Sequence, residues 1–303
     1  SALKYLQSSN QNLDTAKTVS QNIFGLDINR SIARIAKMKL LLEANGKTNI
    51  LCTNSLEDLD SIKLSLGQKN GFDLVLTNPP FGAKITQSTV LSKFDLGHKW
   101  GNQNSEFYQT KTVYANQNAE ILFIERCLQL LKEGGRMVIV LPNGNFENPS
   151  LDYLRYYIKQ KAKVLAIVNL PQETFIPFGT GVKTSLLFLE KDSKNEEKQY
   201  PIFFGRVTKL GYQGNKNGTP IYQKDKFGQI IKDENKQPIL DEDFSAIIEA
   251  YKEFQKGKKV ETENAFSIQF NELNGRFDYD FYSPENRKLF SNLTNFKTVR
   301  LGD

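Results

Sequence analysis

The residues with the sharpest chemistry are Asn78-Pro79-Pro80-Phe81, which directly follow the apolar run Asp73–Thr77 (DLVLT). Proline fixes its own φ and biases the residue before it to extended geometry, so the spacing predicts Asn78 and the Pro79 carbonyl as two rigid acceptors aimed into one pocket. Two such acceptors suit an NH2 donor. An amine on an aromatic ring is a poor nucleophile because its lone pair is delocalised, and acceptors on both hydrogens push the nitrogen toward a geometry that frees that pair. Phe81 offers a flat face on which a planar base stacks, worth about 1–3 kcal/mol. The bland alternative, a rigid Asn-Pro turn, sits poorly with the buried strand expected ahead of it.

A second group of polar residues falls at the ends of two earlier apolar runs. Asp27 closes Asn22–Asp27 (NIFGLD) with Ile28 next, and Asn54 and Ser55 follow Asn49–Cys52 (NILC). An acid at the end of such a strand accepts both ribose hydroxyls of a nucleoside cofactor. The same acid also serves as a helix cap, a duty open to Asn29 and Ser31 as well, and Ser55 is equally readable as a cap. Further on, Phe178-Gly179-Thr180-Gly181 either places Phe178 across from Phe81 or closes a plain hairpin turn. Leu141–Gly144 (LPNG) either shapes a pocket rim or turns the chain. One histidine, His98, and two cysteines, Cys52 and Cys127, come close to excluding a zinc site and Ser-His-Asp catalysis, so no metal site is expected. His98 is expected in a loop, and both cysteines, set among apolar neighbours, are expected buried and reduced.

These residues need elements to hold them. Ser31–Ala44 carries apolar residues at helical spacing before Asn45-Gly46, a helix stop, and Phe72–Thr77 reads as a strand covered on both faces. Ala119–Leu131 reads as an amphipathic helix closed by Gly134-Gly135, followed by a buried strand Arg136–Leu141. A helix around Leu151–Lys161 and strands Val164–Asn169 and Thr184–Glu190 complete the pattern. Strands alternating with helices predict a parallel or mostly parallel α/β sheet, with ligand sites at the carboxyl ends of its strands. After Glu190 the chain turns polar, so the expected division is a sheet domain over 1–200, a basic, partly helical extension over 201–265, and a final segment over 266–303. No internal repeat is visible.

A chain of 303 residues, 39% hydrophobic, has room for one large domain, and its net charge of +6 weakly favours a polyanionic partner. No run approaches the roughly 18 apolar residues a membrane helix needs, and the first residues lack the layout of a signal peptide, so a cytoplasmic location and no membrane partner are expected.

The motif Asn78–Phe81 resembles that of the amino-methyltransferases with (Asn/Asp/Ser)-Pro-Pro-(Tyr/Phe/Trp), and with Asn and Phe it looks like the DNA adenine-N6 group. GLDINRSIARIAKMKLLLEANG, the NSL of Asn54–Leu56, NAEILFIERCLQLLKEGGRMVIVLPNG and NLPQETFIPFGTGVKTSLLFLEK are together similar to the modification (methyltransferase) subunits of Type I restriction systems and the related fused Type II enzymes, over about residues 20 to 190. The resemblance implies a Rossmann-like S-adenosylmethionine-dependent sheet that moves a methyl group to N6 of a flipped-out adenine. It implies Asn78, Pro79, Pro80 and Phe81 as the catalytic residues, and Asp27, Ile28, Asn54, Ser55 and Asn78 at the cofactor, although the family more often has Asp where Asn54 stands. Phe178 would flank the base. The implied partners are double-stranded DNA, a DNA-specificity subunit or fused specificity domain, and a restriction (nuclease or translocase) subunit.

The family's first strand and glycine-rich loop should precede the helix that leads to Asp27. The chain opens instead at SALKYL, which looks like the helix after that loop, so a truncated sheet with weak or no cofactor binding is expected. RFDYDFYSP (276–284) and the tail KTVRLGD (297–303) resemble the entry into a DNA-specificity segment, or else form a packed arm. Two other readings stay open: a protein-glutamine or RNA methyltransferase with the same motif, and a non-catalytic methyltransferase-like assembly subunit.

Overall fold

A computed structural model of the chain describes residues 2–9, 14–44, 48–68, 70–104, 106–194 and 199–293. The tail 297–303 lies outside the described residues. Helices α1 (Ala2–Ser9) and α2 (Thr15–Asn22) lead into β1 (Phe24–Asp27), α3 (Arg30–Ala44), β2 (Asn49–Cys52) and α4 (Leu59–Leu66). Strand β3 (Phe72–Thr77) is followed by an excursion of β4 (Lys84–Ile85), α5 (Ser88–Leu91), β5 (His98–Gln103), β6 (Glu106–Val113) and β7 (Gln117–Asn118). The chain returns through α6 (Ala119–Leu130) and β8 (Leu131–Pro142), then α7 (Gly144–Glu147), α8 (Asp152–Lys161), β9 (Ala162–Asn169) and β10 (Thr184–Lys191). The last described elements are β11 (Pro201–Arg206), α9 (Phe244–Gln255), β12 (Ala265–Gln269), α10 (Tyr279–Tyr282) and α11 (Pro284–Leu293).

Six strands form one sheet in the order β12-β11-β9-β10-β8-β3. β3 runs parallel to β8 and β11 to β9, while β10 is antiparallel to both β8 and β9 and β12 is antiparallel to β11. The sheet is therefore mixed, not mostly parallel. The segment between β9 and β10 stays at one end of the sheet, where Leu170 N–H donates to the Thr184 carbonyl at 2.9 Å. A parallel return would need that segment to cross the sheet.

Alternate residues of the inner strands face opposite sides, as a pleated strand requires. Met137, Ile139, Leu141, Leu187, Leu189, Ile202 and Phe204 pack with Ile121, Ile124 and Leu128 of α6 and Leu154 and Ile158 of α8. Ala166, Val168, Phe203 and Ala265 face the other way, where Ile247 of α9 covers them. The sheet does not stop at residue 200: β11 and β12 extend it, and α9 seals one of its faces, so much of 201–269 belongs to the same core. The RFDYDFYSP segment is packed here too, with Phe277 and Tyr279 each 1% exposed.

Strands β1 and β2 form a separate parallel pair, with Asp27 opposite Cys52. Among the described residues β3 bonds only to β8, so its other edge is open, and Leu74 and Leu76 are 55% and 57% exposed. Leu74 and Leu76 point to the same face of the strand, so the expected burial on both faces fails on that face, while Val75 on the other is half-buried. The pair is attached to the sheet by side chains: Ile62 and Leu66 of α4 and Leu130 meet Phe24, Leu26, Leu51 and Phe72.

Smaller expectations are also corrected. Gly134 and Gly135 do not close α6, since β8 begins at once and the glycines lie in its irregular start. His98 opens strand β5 instead of lying in a loop, and Cys52 is exposed while Cys127 is buried. No described helix is long and apolar enough to cross a membrane.

Candidate active site

Strand β3 delivers Asn78 and Pro80 exposed, Pro79 buried and Phe81 half-buried at its carboxyl end. The turn continues through Gly82, whose φ of +69° lies in the left-handed region that favours glycine. Phe81 meets Phe175 edge to face, ring centres 5.8 Å apart, and Phe175 lies 6.4 Å from Phe178. Both Phe175 and Phe178 belong to a 3-10 helix, Gln172–Phe178, ended by Gly179 at φ +95°, so the connection between the antiparallel neighbours β9 and β10 is long and partly helical and Phe178–Gly181 is not a plain hairpin turn. Phe178 is 78% exposed at the outer end of that row, and the ring touching Phe81 is Phe175. Sequence reading passed over Phe175, whose signal was the spacing of two aromatics on one short helical turn.

The loop is clamped by α6. Gly82 N–H donates to Glu120 Oε2 at 3.2 Å, Ala119 N–H donates to the Ala83 carbonyl at 2.8 Å, and β4 pairs with β7. Glu120 is 2% exposed; burial raises its pKa, while the backbone N–H groups of Glu120 and Gly82 and the charge of Lys84 oppose that rise. Five residues on, Glu125 accepts from Asp95 N–H at 2.9 Å and Leu96 N–H at 2.8 Å, and burial pushes it up to about 7. Arg126 donates to the Glu57 carbonyl at 2.7 Å and lies over the Phe94 ring at 4.8 Å. The helix expected to be merely amphipathic thus buries three charged side chains. Two of them hold backbone N–H groups of the excursion that follows the motif, and the third holds the loop after β2. A charged group inside an apolar helical run was the available signal.

At the β1–β2 pair, parallel register brings Asp27 and Ile28 to the same end as Asn54 and Ser55. Asp27 Oδ1 accepts from Asn29 N–H at 2.7 Å. The cap of α3 is Asn29, whose Oδ1 takes the N–H groups of Ser31 and Ile32. Ile28 is 70% exposed. Asn54 Oδ1 accepts from Leu56 N–H at 3.0 Å, and the cap of α4 is Asp58, not Ser55. Among the described residues no hydrogen bond links this group to Asn78–Phe81. Leu141–Gly144 turns the chain into α7, with Asn143 buried and accepting from Ser185 Oγ at 2.9 Å. No described group of three His, Cys, Asp or Glu is placed to hold a metal ion.

The chain is 29% identical over 126 residues to the Type I restriction enzyme EcoEI methylase subunit of Escherichia coli, covering 41% of this chain and 22% of that one. It is 21% identical over 208 residues to the Type II restriction enzyme and methyltransferase RM.BcgI of Heyndrickxia coagulans, covering 67% and 27%. The chain thus spans about a quarter of the length of these curated relatives. Among solved structures, a modification subunit of a type I restriction enzyme from Vibrio vulnificus YJ016 superposes with a TM-score of 0.59 at 19% identity, over 92% of this chain and 50% of that one. Another, from work on assembly and conformational transition of the type I R-M system, gives 0.61 at 18%, over 97% and 57%. The fold is that of these α/β methyltransferase subunits. The N-6 DNA Methylase family model matches residues 2–285, and the chain belongs to that family.

Proposed function

We propose that the chain is the methyl-transferring part of a restriction-modification enzyme that methylates N6 of adenine in double-stranded DNA with S-adenosylmethionine. The observation that carries this is the Asn78–Phe81 turn at the end of β3, clamped from behind by Glu120 and walled by Phe81 and Phe175. Among the described residues no side-chain or turn hydrogen bond engages the Asn78 side chain or the Pro79 carbonyl, so both oxygens are available to accept the two N6 hydrogens. An adenine within a duplex must be rotated out to reach them, which costs about a few kcal/mol. Stacking on Phe81, with Phe175 and Phe178 beside it, offsets that cost.

S-adenosylmethionine supplies a methyl group on a sulfonium, and the protein's work is to hold N6 in line with it at roughly 3–3.5 Å. The donor set fits the nucleoside half of that cofactor. Asp27 keeps one carboxylate oxygen outside its bond to Asn29 for a ribose hydroxyl, Asn54 keeps its amide N–H groups for an adenine ring nitrogen, and Ile28 presents an apolar surface beside them. Ser55 lies next to Asn54 on the same rim. The relatives' names, a methylase subunit of a restriction enzyme and a combined restriction enzyme and methyltransferase, support a restriction component as partner.

The test is transfer of labelled methyl groups to DNA by the complete natural protein, with any separate specificity subunit added. Asn78→Ala should lower incorporation by at least about 100-fold at unchanged fold. Label arriving on protein or RNA but not on DNA would replace this reading with the protein-glutamine or RNA one, and no label on any acceptor would favour the assembly subunit.

A further inference from the structure

Between β11 and α9 the chain builds a projecting arm from three turns of one design. Asn215 Oδ1 accepts from Asn217 and Gly218 N–H, Asp225 Oδ1 from Phe227 and Gln229 N–H, and Asp233 Oδ1 from Asn235 and Gln237 N–H. The second and third turns align as Lys-Asp-x-x-(Gly/Lys)-Gln-(Ile/Pro)-Ile, Lys224–Ile231 against Lys232–Ile239, an internal repeat that the sequence reading missed. Three residues eight apart close a ring: Gln223 N–H donates to Ile239, Ile239 N–H to Ile231, and Ile231 N–H to Gln223, at 2.9, 3.0 and 2.9 Å. The root of the arm rests on the candidate site, because Tyr212 Oη donates to the Thr174 carbonyl at 2.7 Å, and Gly214 and Gly218 pack on Glu173 and Pro177.

Beyond its root the arm carries five lysines against three carboxylates, Asp225, Asp233 and the exposed Glu234. At the root, Lys209 is paired with Asp241 at 2.9 Å. Beyond it, Lys216, Lys224, Lys226, Lys232 and Lys236 are all exposed, and among the described residues none of them pairs with a carboxylate. The carboxylates of Asp225 and Asp233 are turned onto their own turns' N–H groups. Phe227 is 77% exposed at a tip, with Lys226 5.0 Å from its ring centre.

We propose that this arm grips the phosphate backbone of duplex DNA beside the flipped adenine, through Lys224, Lys226, Lys232 and Lys236. The inference rests on the DNA reading above. Unpaired lysines repeated on a hydrogen-bonded scaffold neutralise phosphates and release counterions, and a support fastened to the Phe175–Phe178 segment places them where the duplex must arrive if the base enters there.

The experiment measures binding of a duplex by the complete natural protein across a salt series, comparing wild type with a Lys→Gln variant at all four positions and a Lys→Arg variant at the same four. Thermal melts check that both variants fold. The Gln variant should bind at least about tenfold more weakly at low salt, with a salt slope shallower by about one for each phosphate no longer neutralised, and the Arg variant should bind as wild type. Wild-type affinity and slope in the Gln variant would overturn the proposal. So would intact DNA binding together with failure to bind a specificity subunit, which would make the arm a protein-binding element. Labelled-methyl transfer is scored in parallel, so a wild type that methylates no DNA points to failure of the functional reading and not of the arm.

Discussion

Buried charge is the residue-scale signature of this chain. Glu120 and Glu125 stand about one and a half turns apart on α6, and each is tolerated inside because backbone N–H groups of the preceding excursion reach it. Glu120 thereby fixes the turn that holds Asn78 and Phe81. For Glu125 burial dominates and lifts the carboxyl to about 7 from the ordinary 4.5. The folded protein binds this proton more tightly than the unfolded chain, so the stability that Glu125 contributes is full below the ordinary carboxylate range and is lost as pH rises toward 7, by up to about 1.4 kcal/mol per pH unit. Chemical denaturation between pH 5 and 8 should show this fall, and Glu125→Gln should flatten it. An equal slope in the variant would assign the effect to other groups.

At the scale of elements, the arm shows how one local rule is repeated and once broken. Its turns need a residue with left-handed backbone at a fixed place, supplied by Gly218 at φ +55° and Gly228 at φ +81°, but by Lys236 at φ +62° in the third. A side chain in that region costs about 1 kcal/mol, partly offset by the greater entropy glycine loses on folding. Lys236→Gly should therefore steady the ring, seen as slower amide exchange at Gln223, Ile231 and Ile239 by up to about fivefold. Faster exchange would show that Lys236 makes a stabilising contact the backbone geometry does not account for.

Across the whole molecule, stability should be two-tiered. The inner strands of the six-stranded sheet are packed on both faces, whereas the β1–β2 pair carrying Asp27 and Asn54 is joined to the sheet by side-chain packing such as the Phe24–Phe72 contact at 5.3 Å. Amides of residues 24–27 and 49–52 are expected to exchange through local opening well below the global unfolding energy that governs residues 137–141 and 185–189. Phe72→Ala should widen the gap. Equal protection in the two groups would mean that the pair and the sheet unfold as one unit. Since the proposed cofactor residues sit on the β1–β2 pair and Asn78 at the end of β3, their alignment depends on the side-chain packing between the pair and β3.

What the sequence determined by itself was local. The strand–Asn-Pro-Pro-Phe junction, the α3 and α8 helices and the strands β2, β3 and β9 are legible because φ restriction and apolar periodicity act within a few residues. The tertiary structure alone decided that β10 runs antiparallel, that β11 and β12 join the sheet past residue 200, that Phe175 meets Phe81, and that Glu120 holds Gly82 from 38 residues away. Strand direction and long-range clasps depend on where a connection lies in space and on which backbone groups lack partners, and neither leaves a periodic mark in the chain. Asp27 and Asn54 lie between these cases, since their strand-end positions could be read in advance while their joint placement required the parallel register of β1 and β2.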